Sequence, residues 1–187
     1  MTTVCLVRHG ETDWNRDGRL QGLEDIELNS NGKRQAEMCG EYLKRECWET
    51  IVCSTLKRAR ETALIIKDVT GIKSFFEKSS LTERDFGKLS GLTPVERQTA
   101  MKNNIKPNEE LKDFRNRTVS ALNDIAKDFA GKKIIVVTHG GVINSLLSYV
   151  SKGAIENGEN LLKNACVSII QYDNSDWKIQ LYNKMLE

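Results

Sequence analysis

The sequence predicts an α/β fold, a three-layer α/β/α sandwich with a mostly parallel central sheet. Short apolar runs alternate along the chain with segments of helical periodicity, which is the pattern of strands joined by crossover helices. Two of these runs, at 2–7 and 133–137, lead to the only histidines of the chain, His9 and His139, and a glycine follows each histidine. Ligands of open parallel sheets bind beyond the carboxyl ends of the strands. We therefore expect both imidazoles to belong to one site.

The first half of the chain is predicted to contain three strands and two helices. Asn29 or Ser30 is placed to cap the first helix with its side-chain oxygen, and Ser54-Thr55 is placed to cap the second. The segment that follows His9 is rich in polar and turn residues, which predicts a long functional loop. The predicted elements are a strand at 2–7, a loop at 11–28, a helix from about 30 to 45, a strand at 50–53, a helix to about 69 and a short edge strand at 72–76.

The second half of the chain is predicted to add three helices, one strand and a terminal hairpin. Thr93 followed by Pro94 predicts a helix start, because threonine is a good cap and proline is favoured at the first helical position. Asn108 is predicted to cap a longer amphipathic helix, which Gly131 ends. The other predicted elements are an irregular segment at 81–91, a strand at 133–137, a helix at 140–150 and a hairpin of 165–172 with 177–182, turning across 173–176.

Length and composition predict a single domain. The chain has 187 residues and a formal net charge of +2, which is too small to indicate nucleic acid or a membrane surface as a partner. No apolar run approaches the length of a membrane span and no secretory leader pattern is seen, so a cytoplasmic protein is predicted. The five cysteines lack metal-binding or redox spacing and are expected to be reduced and structural.

Arginines lie beside the predicted strand ends. Arg8 precedes His9, and Arg58 and Arg60 follow the second strand. Guanidinium groups can bind a tetrahedral anion through two hydrogen bonds, and helix N-termini add backbone donors, so this arrangement favours a phosphate. Arg60 is expected on a solvated helix face instead. The chain has no Gly-rich nucleotide motif, no His-x-x-x-His and no cysteine cluster, so neither a cofactor nor a metal is predicted.

Five segments, in this order, resemble the motifs of the histidine phosphatase superfamily, also called phosphoglycerate mutase-like. They are Arg-His-Gly-Glu-Thr at 8–12, Asn15 with Gly-Arg-Leu-Gln-Gly at 18–22, Ser-Thr-Leu-Lys-Arg-Ala-Arg-Glu-Thr-Ala at 54–63, Leu-Thr-Glu-Arg-Asp-Phe-Gly-Lys-Leu-Ser-Gly at 81–91 and Val-Thr-His-Gly-Gly at 137–141. The resemblance covers nearly the whole chain, and five ordered motifs are specific where a single one is weak. It implies one domain over 1–187 with a short helical lid inserted at about 92–114.

The resemblance also implies a mechanism. His9 would attack phosphorus and become phosphohistidine. Glu83 would protonate the leaving alcohol and then deprotonate the water that releases phosphate. Arg8, Arg58 and His139 would surround the phosphoryl oxygens and stabilise their charge. The substrate-binding residues that it implies are Arg8, Asn15, Gln21, Gly22, Arg58, His139 and Gly140.

Two activities in this family share the phosphohistidine. Glu83 and His139 lie 56 positions apart, whereas the family's glycolytic mutases carry a longer insertion there. A shorter lid leaves the pocket more open to water, so a phosphatase acting on a small phosphomonoester is predicted. A cofactor-dependent phosphoglycerate mutase is the first alternative, and a catalytically inactive phosphoester-binding protein is the second. Basic residues of the lid, such as Arg97, could meet a second anionic group, but a solvated helix face is expected. The substrate and the oligomeric state stay open.

Overall fold

A computed structural model describes residues 1–155, 162–173 and 176–186 of the protein. Its centre is a sheet of six strands: β1 (Thr2–Arg8), β2 (Thr50–Cys53), β3 (Ser74–Glu77), β4 (Lys133–Thr138), β5 (Val167–Asp173) and β6 (Asp176–Lys184). The spatial order is β3-β2-β4-β1-β5-β6. The first four strands of this order pair in parallel, and β5 and β6 are antiparallel. The mostly parallel sheet and the terminal hairpin are confirmed, while the residues 174–175 of the predicted turn lie outside the described residues.

Helices cover both faces of the sheet. They are α1 (Asp13–Arg16), α2 (Ser30–Leu43), α3 (Lys57–Thr70), α4 (Pro94–Lys102), α5 (Leu111–Asp128) and α6 (Gly140–Val150). Strand β1 shows how the layers form, because Val4 and Leu6 point into a core with α5 and α6, whereas Cys5 and Val7 point into a second core with α2 and α3. All four side chains are fully buried. A strand buried on both faces reads as a continuous apolar run, and the predicted three-layer sandwich is confirmed.

The predicted helix caps are confirmed at two helices and wrong at two others. Asn29 caps α2 by accepting the N–H of Gly32 at 2.8 Å, and Thr93 forms a capping box with Glu96. Neither α3 nor α5 has a side-chain cap, because their N-cap residues are Leu56 and Glu110.

The two residues predicted to cap these helices bind other partners. Ser54 pairs with the ring of His139, and the Asn108 amide donates to Asp85. The predicted loop at 11–28 also contains the single-turn helix α1, which Thr12 caps. A helix of one turn has too few residues to show a periodicity in the sequence.

The segment at 92–114 divides between two elements. Helix α4 and the loop after it occupy 94–110, but residues 111–114 form the first turn of α5, where Phe114 is buried in the core. The start of α4 is tied to the loop after α1, because Leu20 donates its N–H to the carbonyl of Leu92 and accepts from Gly91. Within the described residues, no helix is long and apolar enough to cross a bilayer.

Two glycines let the end of β1 pack against the start of α2. A methyl group on Gly10 would overlap the carbonyl of Gly32, and one on Gly32 would overlap the backbone of Glu11. Side-chain bonds hold the same contact, since Gln35 accepts the N–H of Glu11 at 2.9 Å. The chain after His9 is therefore fixed by close backbone contact rather than by side-chain packing.

Replacing Gly32 by alanine tests this contact. We expect Gly32→Ala to lower the free energy of unfolding by about 2–4 kcal/mol, because the added methyl forces two backbone segments apart. Urea unfolding monitored by circular dichroism measures the change. Glu37→Ala, at an exposed position of the same helix, is the control and should stay within about 0.5 kcal/mol of wild type. Equal stability of the two variants would contradict the close approach.

Candidate active site

The candidate site lies where β1 and β4 end side by side. Their parallel register pairs Arg8 with Thr138, so the residues that follow them, His9 and His139, are neighbours. The centroids of the two imidazole rings are 5.3 Å apart and the ring planes are tilted by 57°. The structure thus brings together two histidines that are 130 positions apart in the sequence.

His9 is held with one ring nitrogen free of a proton. Its Nδ1 lies 2.7 Å from the carbonyl oxygen of Gly10, which can only accept, so the ring proton is on Nδ1. Its Nε2 accepts the Nε–H of Arg58 at 3.3 Å. Burial, and then the charges of Arg58 and Arg8, hold the pKa of His9 well below its usual value of about 6.5. Nε2 is therefore available as a nucleophile at neutral pH.

Arg58 lies almost fully buried at the start of α3, 1% exposed. Its Nη1 and Nη2 donate to the carbonyls of Glu24 and Gly22 at 2.7 and 2.8 Å. Thr62 joins this helix to the end of β1, because its hydroxyl oxygen accepts the N–H of Gly10 and donates to the carbonyl of Arg58. Burial lowers the pKa of Arg58 to about 10, so it stays charged at neutral pH.

Arg8 lines the same site from the end of β1. Its Nη1 donates to the carbonyl of Leu162, while its Nε is buried and has no partner in the described part of the chain. Desolvation lowers the pKa of Arg8 too. In the part of the chain that the structure describes, neither Arg8 nor Arg58 forms an ion pair with a carboxylate. The site therefore holds two positive charges that no carboxylate of the described residues contacts.

His139 has no exposed surface and precedes α6 as its N-cap residue. Its Nε2 lies 2.8 Å from the hydroxyl oxygen of Ser54, and its Nδ1 is buried without a partner. Burial, and then the charge of Arg58, keep the pKa of His139 well below its usual value. His139 is consequently neutral at neutral pH, like His9.

Glu83 is held by two backbone donors. The N–H of Arg84 donates to its Oε1 and the N–H of Gly141 donates to its Oε2, both at 2.9 Å. A methyl group on Gly141 would overlap the carboxylate, so only glycine permits this contact. The second glycine after His139 thus places the carboxylate beside the start of α6.

The other predicted binding residues surround the same cleft. Three donors hold the Oδ1 of Asn15: the N–H and hydroxyl of Thr12 and the amide of Asn164, at 3.1–3.2 Å. This leaves the NH₂ group of Asn15 as its free donor. Gln21 is buried with its Oε1 unpartnered. Gly140 lies against Arg8, since a methyl group on it would contact the Nε of that arginine at 3.5 Å.

The cleft has a volume of about 530 Å³. The predicted site residues that line it are Arg8, His9, Asn15, Gln21, Gly22, Arg58, Glu83 and Gly140. His139 is not among the lining residues, because it lies beneath the surface. Arg19, Arg97 and Lys163 add positive charge to the walls. Apart from Glu83, no acidic side chain lines the cleft within the described residues, so the site attracts anions.

Asn164 is a site residue that sequence reasoning did not find. Its amide donates to the carbonyl of His9 at 3.0 Å and to Asn15 at 3.2 Å. It reaches the site because β5, which follows it, pairs with β1. A lone asparagine before a late strand gives no local signal of this. Arg60, in contrast, lies at the surface as predicted and pairs with Glu77 at 2.8 Å.

None of the five cysteines lines the cleft. Cys5, Cys39, Cys53 and Cys166 are free and buried in the core, as predicted, whereas Cys47 is free and exposed. Among the described residues, no group of three or more histidine, cysteine, aspartate or glutamate side chains is placed to hold a metal ion.

An α/β sandwich with two histidines and two arginines beside its strand ends is the architecture of a known class of proteins. A model of the histidine phosphatase superfamily (branch 1) matches residues 4–185. The chain belongs to this superfamily.

Some relatives of the chain are named phosphatases, and others are named phosphoglycerate mutase-like proteins. The chain is 42% identical over 184 residues to the uncharacterized phosphatase PhoE of Bacillus subtilis strain 168, covering 98% of this chain and 95% of that protein. It is 32% identical over 197 residues to the metal-independent phosphoserine phosphatase of Arabidopsis thaliana, covering 98% and 82%. It is 34% identical over 194 residues to phosphoglycerate mutase-like protein 4 of the same plant, covering 96% and 84%.

Solved structures support the fold as well. Bacillus stearothermophilus YhfR superposes with a TM-score of 0.89 at 27% sequence identity, over 99% of this chain and 98% of that one. The similarity therefore extends over nearly the whole chain and not only over its motifs.

The lowered pKa values of His9 and His139 predict how stability depends on pH. In the unfolded chain both imidazoles bind protons below about pH 6.5, but in the folded protein they resist protonation. The free energy of unfolding should therefore fall as the pH falls from about 7.5 to 5.5, by about 1 kcal/mol for each histidine. Urea unfolding of the wild type and of the His9→Gln/His139→Gln variant across this pH range measures how much of the pH dependence comes from the two histidines. An identical pH dependence in both proteins would contradict the lowered pKa values.

Proposed function

We propose that the protein is a phosphomonoesterase that hydrolyses small phosphorylated metabolites through a phosphohistidine intermediate on His9. One observation carries the proposal: Arg8 and Arg58 are charged, largely desolvated and without a carboxylate partner in the described residues, and they flank an unprotonated imidazole nitrogen. Leaving a buried charge unpaired costs stability, so such an arrangement is retained where an anion binds. A phosphate monoester supplies that anion.

In the first step, Nε2 of His9 attacks phosphorus and the P–O bond to the leaving alcohol breaks. The proton on Nδ1, held by the carbonyl of Gly10, keeps the ring oriented during the attack. Glu83 acts as the general acid and gives its carboxyl proton to the leaving oxygen. The products of this step are the free alcohol, phosphohistidine and a Glu83 carboxylate.

In the second step, water attacks the phosphohistidine. The Glu83 carboxylate removes a proton from the water, the P–N bond breaks, and inorganic phosphate leaves while His9 returns to its starting state. The N–H groups of Arg84 and Gly141 hold the carboxylate in one place through both steps.

The charge of the transition state falls on the phosphoryl oxygens in both steps. Arg8, Arg58, Asn15 and His139 supply donors that are already in position, so little reorganisation is needed as the charge develops. Protein cations supply this stabilisation, and the proposed reaction therefore uses neither a metal nor an organic cofactor. The name of the Arabidopsis relative agrees with the absence of a metal.

The proposed reaction is hydrolysis rather than phosphoryl transfer back to a substrate. One α-helix of two to three turns, α4, and one 3₁₀ turn at Gly87–Leu89 lie between Glu83 and the start of α5, so the cleft has a short cover. Water then reaches the phosphohistidine readily. A mutase-like name among the relatives keeps the phosphoglycerate mutase as the alternative. An inactive binding protein is less favoured, because His9, Glu83 and both arginines line one cleft.

Phosphate release by chelator-treated protein tests this proposal. The substrates are a panel of phosphomonoesters that includes phosphoserine and 3-phosphoglycerate, with product isomers followed in parallel by NMR. Release of phosphate from one or a few esters without isomerisation is the expected result. Interconversion of phosphoglycerates with little release would favour the mutase, and binding without turnover would favour the inactive protein.

Replacing Arg58 by alanine should lower kcat/KM by about 10²–10³, because a donor to the transition-state charge is lost. Arg60→Ala is a matched control from the same helix, since its guanidinium faces solvent and Glu77 instead of the cleft. The control should retain nearly full activity. Similar losses in the two variants would show that general positive surface charge, and not the specific position of Arg58 in the cleft, supports the reaction.

Glu83→Gln separates the two steps. With 4-nitrophenyl phosphate, whose leaving group needs no proton, the variant should still transfer the phosphoryl group to His9. Its rate of phosphohistidine hydrolysis should be about 10²–10⁴-fold lower than that of the wild type. A burst of about one nitrophenolate per protein, followed by slow turnover, is expected in stopped-flow experiments. The burst should be absent from His9→Ala. Full steady-state activity of either variant would contradict the assigned roles.

A further inference from the structure

Ser54 lies at the end of β2, beneath the candidate active site. It is fully buried and is not among the residues that line the cleft. Its hydroxyl oxygen accepts the N–H of Leu56 at 3.3 Å and lies 2.8 Å from Nε2 of His139. Ser54 therefore contacts the second histidine on the ring nitrogen opposite to Nδ1.

The hydrogen bonds of Ser54 determine where its own proton points. If Nε2 of His139 carried the ring proton, Ser54 would accept two hydrogen bonds and its hydroxyl hydrogen would have no acceptor among the described residues. A buried hydroxyl without an acceptor is costly. If the hydroxyl donates to Nε2 instead, its hydrogen and its oxygen both have a hydrogen-bond partner. The ring proton of the neutral His139 then lies on Nδ1.

Nδ1 of His139 is buried and has no hydrogen-bond partner among the described residues. A buried N–H without an acceptor is unfavourable in the free protein but is ready to donate to a ligand. The Nε of Arg8 is a second buried donor without a partner at the same site. Because Arg58 and burial keep His139 neutral, this imidazole cannot offer a donor on both nitrogens, and its tautomer decides what a bound anion meets.

We propose that Ser54 is a positioning residue that holds His139 in the tautomer with the proton on Nδ1, so that a neutral imidazole donates a hydrogen bond to a phosphoryl oxygen. The inference rests on the proposed function. In the opposite tautomer, the lone pair of Nδ1 would face the anion and repel it. Ser54 acts only through His139 and touches no substrate.

The tautomer can be observed directly because the chain has only two histidines. Protein labelled with ¹⁵N-histidine is recorded in long-range ¹H–¹⁵N correlation spectra, which distinguish protonated from unprotonated ring nitrogens, and His9→Gln assigns the signals. We expect His139 in the wild type to be protonated on Nδ1 alone. In Ser54→Ala, its signals should shift towards a mixture of both tautomers.

Ser168→Ala is the control for the loss of a buried hydroxyl. Ser168 lies in β5, and its oxygen accepts the N–H of Asn183 at 3.0 Å, away from both histidines. Its spectrum should match that of the wild type. A wild-type His139 protonated on Nε2, or an unchanged tautomer in Ser54→Ala, would overturn the proposal.

Kinetics provide a second readout. Ser54→Ala should lower kcat for phosphomonoester hydrolysis by about 10–100-fold with a smaller change in KM, because the bond from Nδ1 strengthens as charge develops on the phosphoryl oxygens. Ser54→Thr retains a hydroxyl and should restore most of kcat, and urea unfolding checks that both variants fold. An unchanged kcat in folded Ser54→Ala would contradict the inference.

The two proposals fail in different ways. If wild-type protein released no phosphate from any ester, the proposed function would be wrong, but the spectra would still decide the tautomer of His139 and the role of Ser54 in setting it. If wild-type protein is an active phosphatase and Ser54→Ala changes neither spectrum nor kcat, only the inference about Ser54 fails.

Discussion

The parallel pairing of β1 with β4 is the constraint on which the site depends. It sets Arg8 beside Thr138, and the next residue of each strand is a histidine. A slip of one residue in this register would turn every side chain of β1 to the opposite face and would bury the wrong half of the strand in each core. Since Val4 and Leu6 pack against α5 and α6 while Cys5 and Val7 pack against α2 and α3, hydrophobic burial itself fixes the alignment of the two imidazoles.

The site lowers the stability of the fold, because it contains buried positive charge that has no carboxylate partner among the described residues. Arg58 is fully buried, yet its hydrogen bonds go to backbone carbonyls of 22 and 24 and to the His9 ring, none of which is negatively charged. Carbonyl acceptors satisfy the N–H groups without neutralising the guanidinium, so the positive charge remains available to a ligand. Burial, and after it the charge of Arg58, lowers the pKa of both histidines and keeps the two rings neutral. A carboxylate paired with this arginine would weaken the second of these two effects.

The site residues that the sequence predicts carry a pattern in the residues next to them, whereas the site residues that it misses do not. The strand ends at His9 and His139 and the segment around Arg58 carry local patterns of an apolar run, a glycine or a helix start. In the structure His9 and Arg58 line one cleft with Glu83, and His139 lies beside His9 beneath the surface of this cleft. Asn164 and the role of Ser54 depend on which strands become neighbours, and no local pattern records that. Ser54 was instead predicted to cap α3, because serine before a helix usually does so. Its hydroxyl serves a partner 85 positions away.

The two histidines start from the same side chain and acquire different chemistry from their neighbours. Gly10 offers only an acceptor, so its carbonyl accepts the Nδ1–H of His9 and leaves Nε2 with a lone pair. Ser54 offers a hydroxyl that already accepts a backbone N–H, so it donates to Nε2 of His139 and leaves Nδ1 as a donor. Both rings carry their proton on Nδ1, but opposite ring nitrogens remain for a ligand. One imidazole can therefore act as nucleophile while the other, equally neutral, stabilises the oxygens of the group that is attacked.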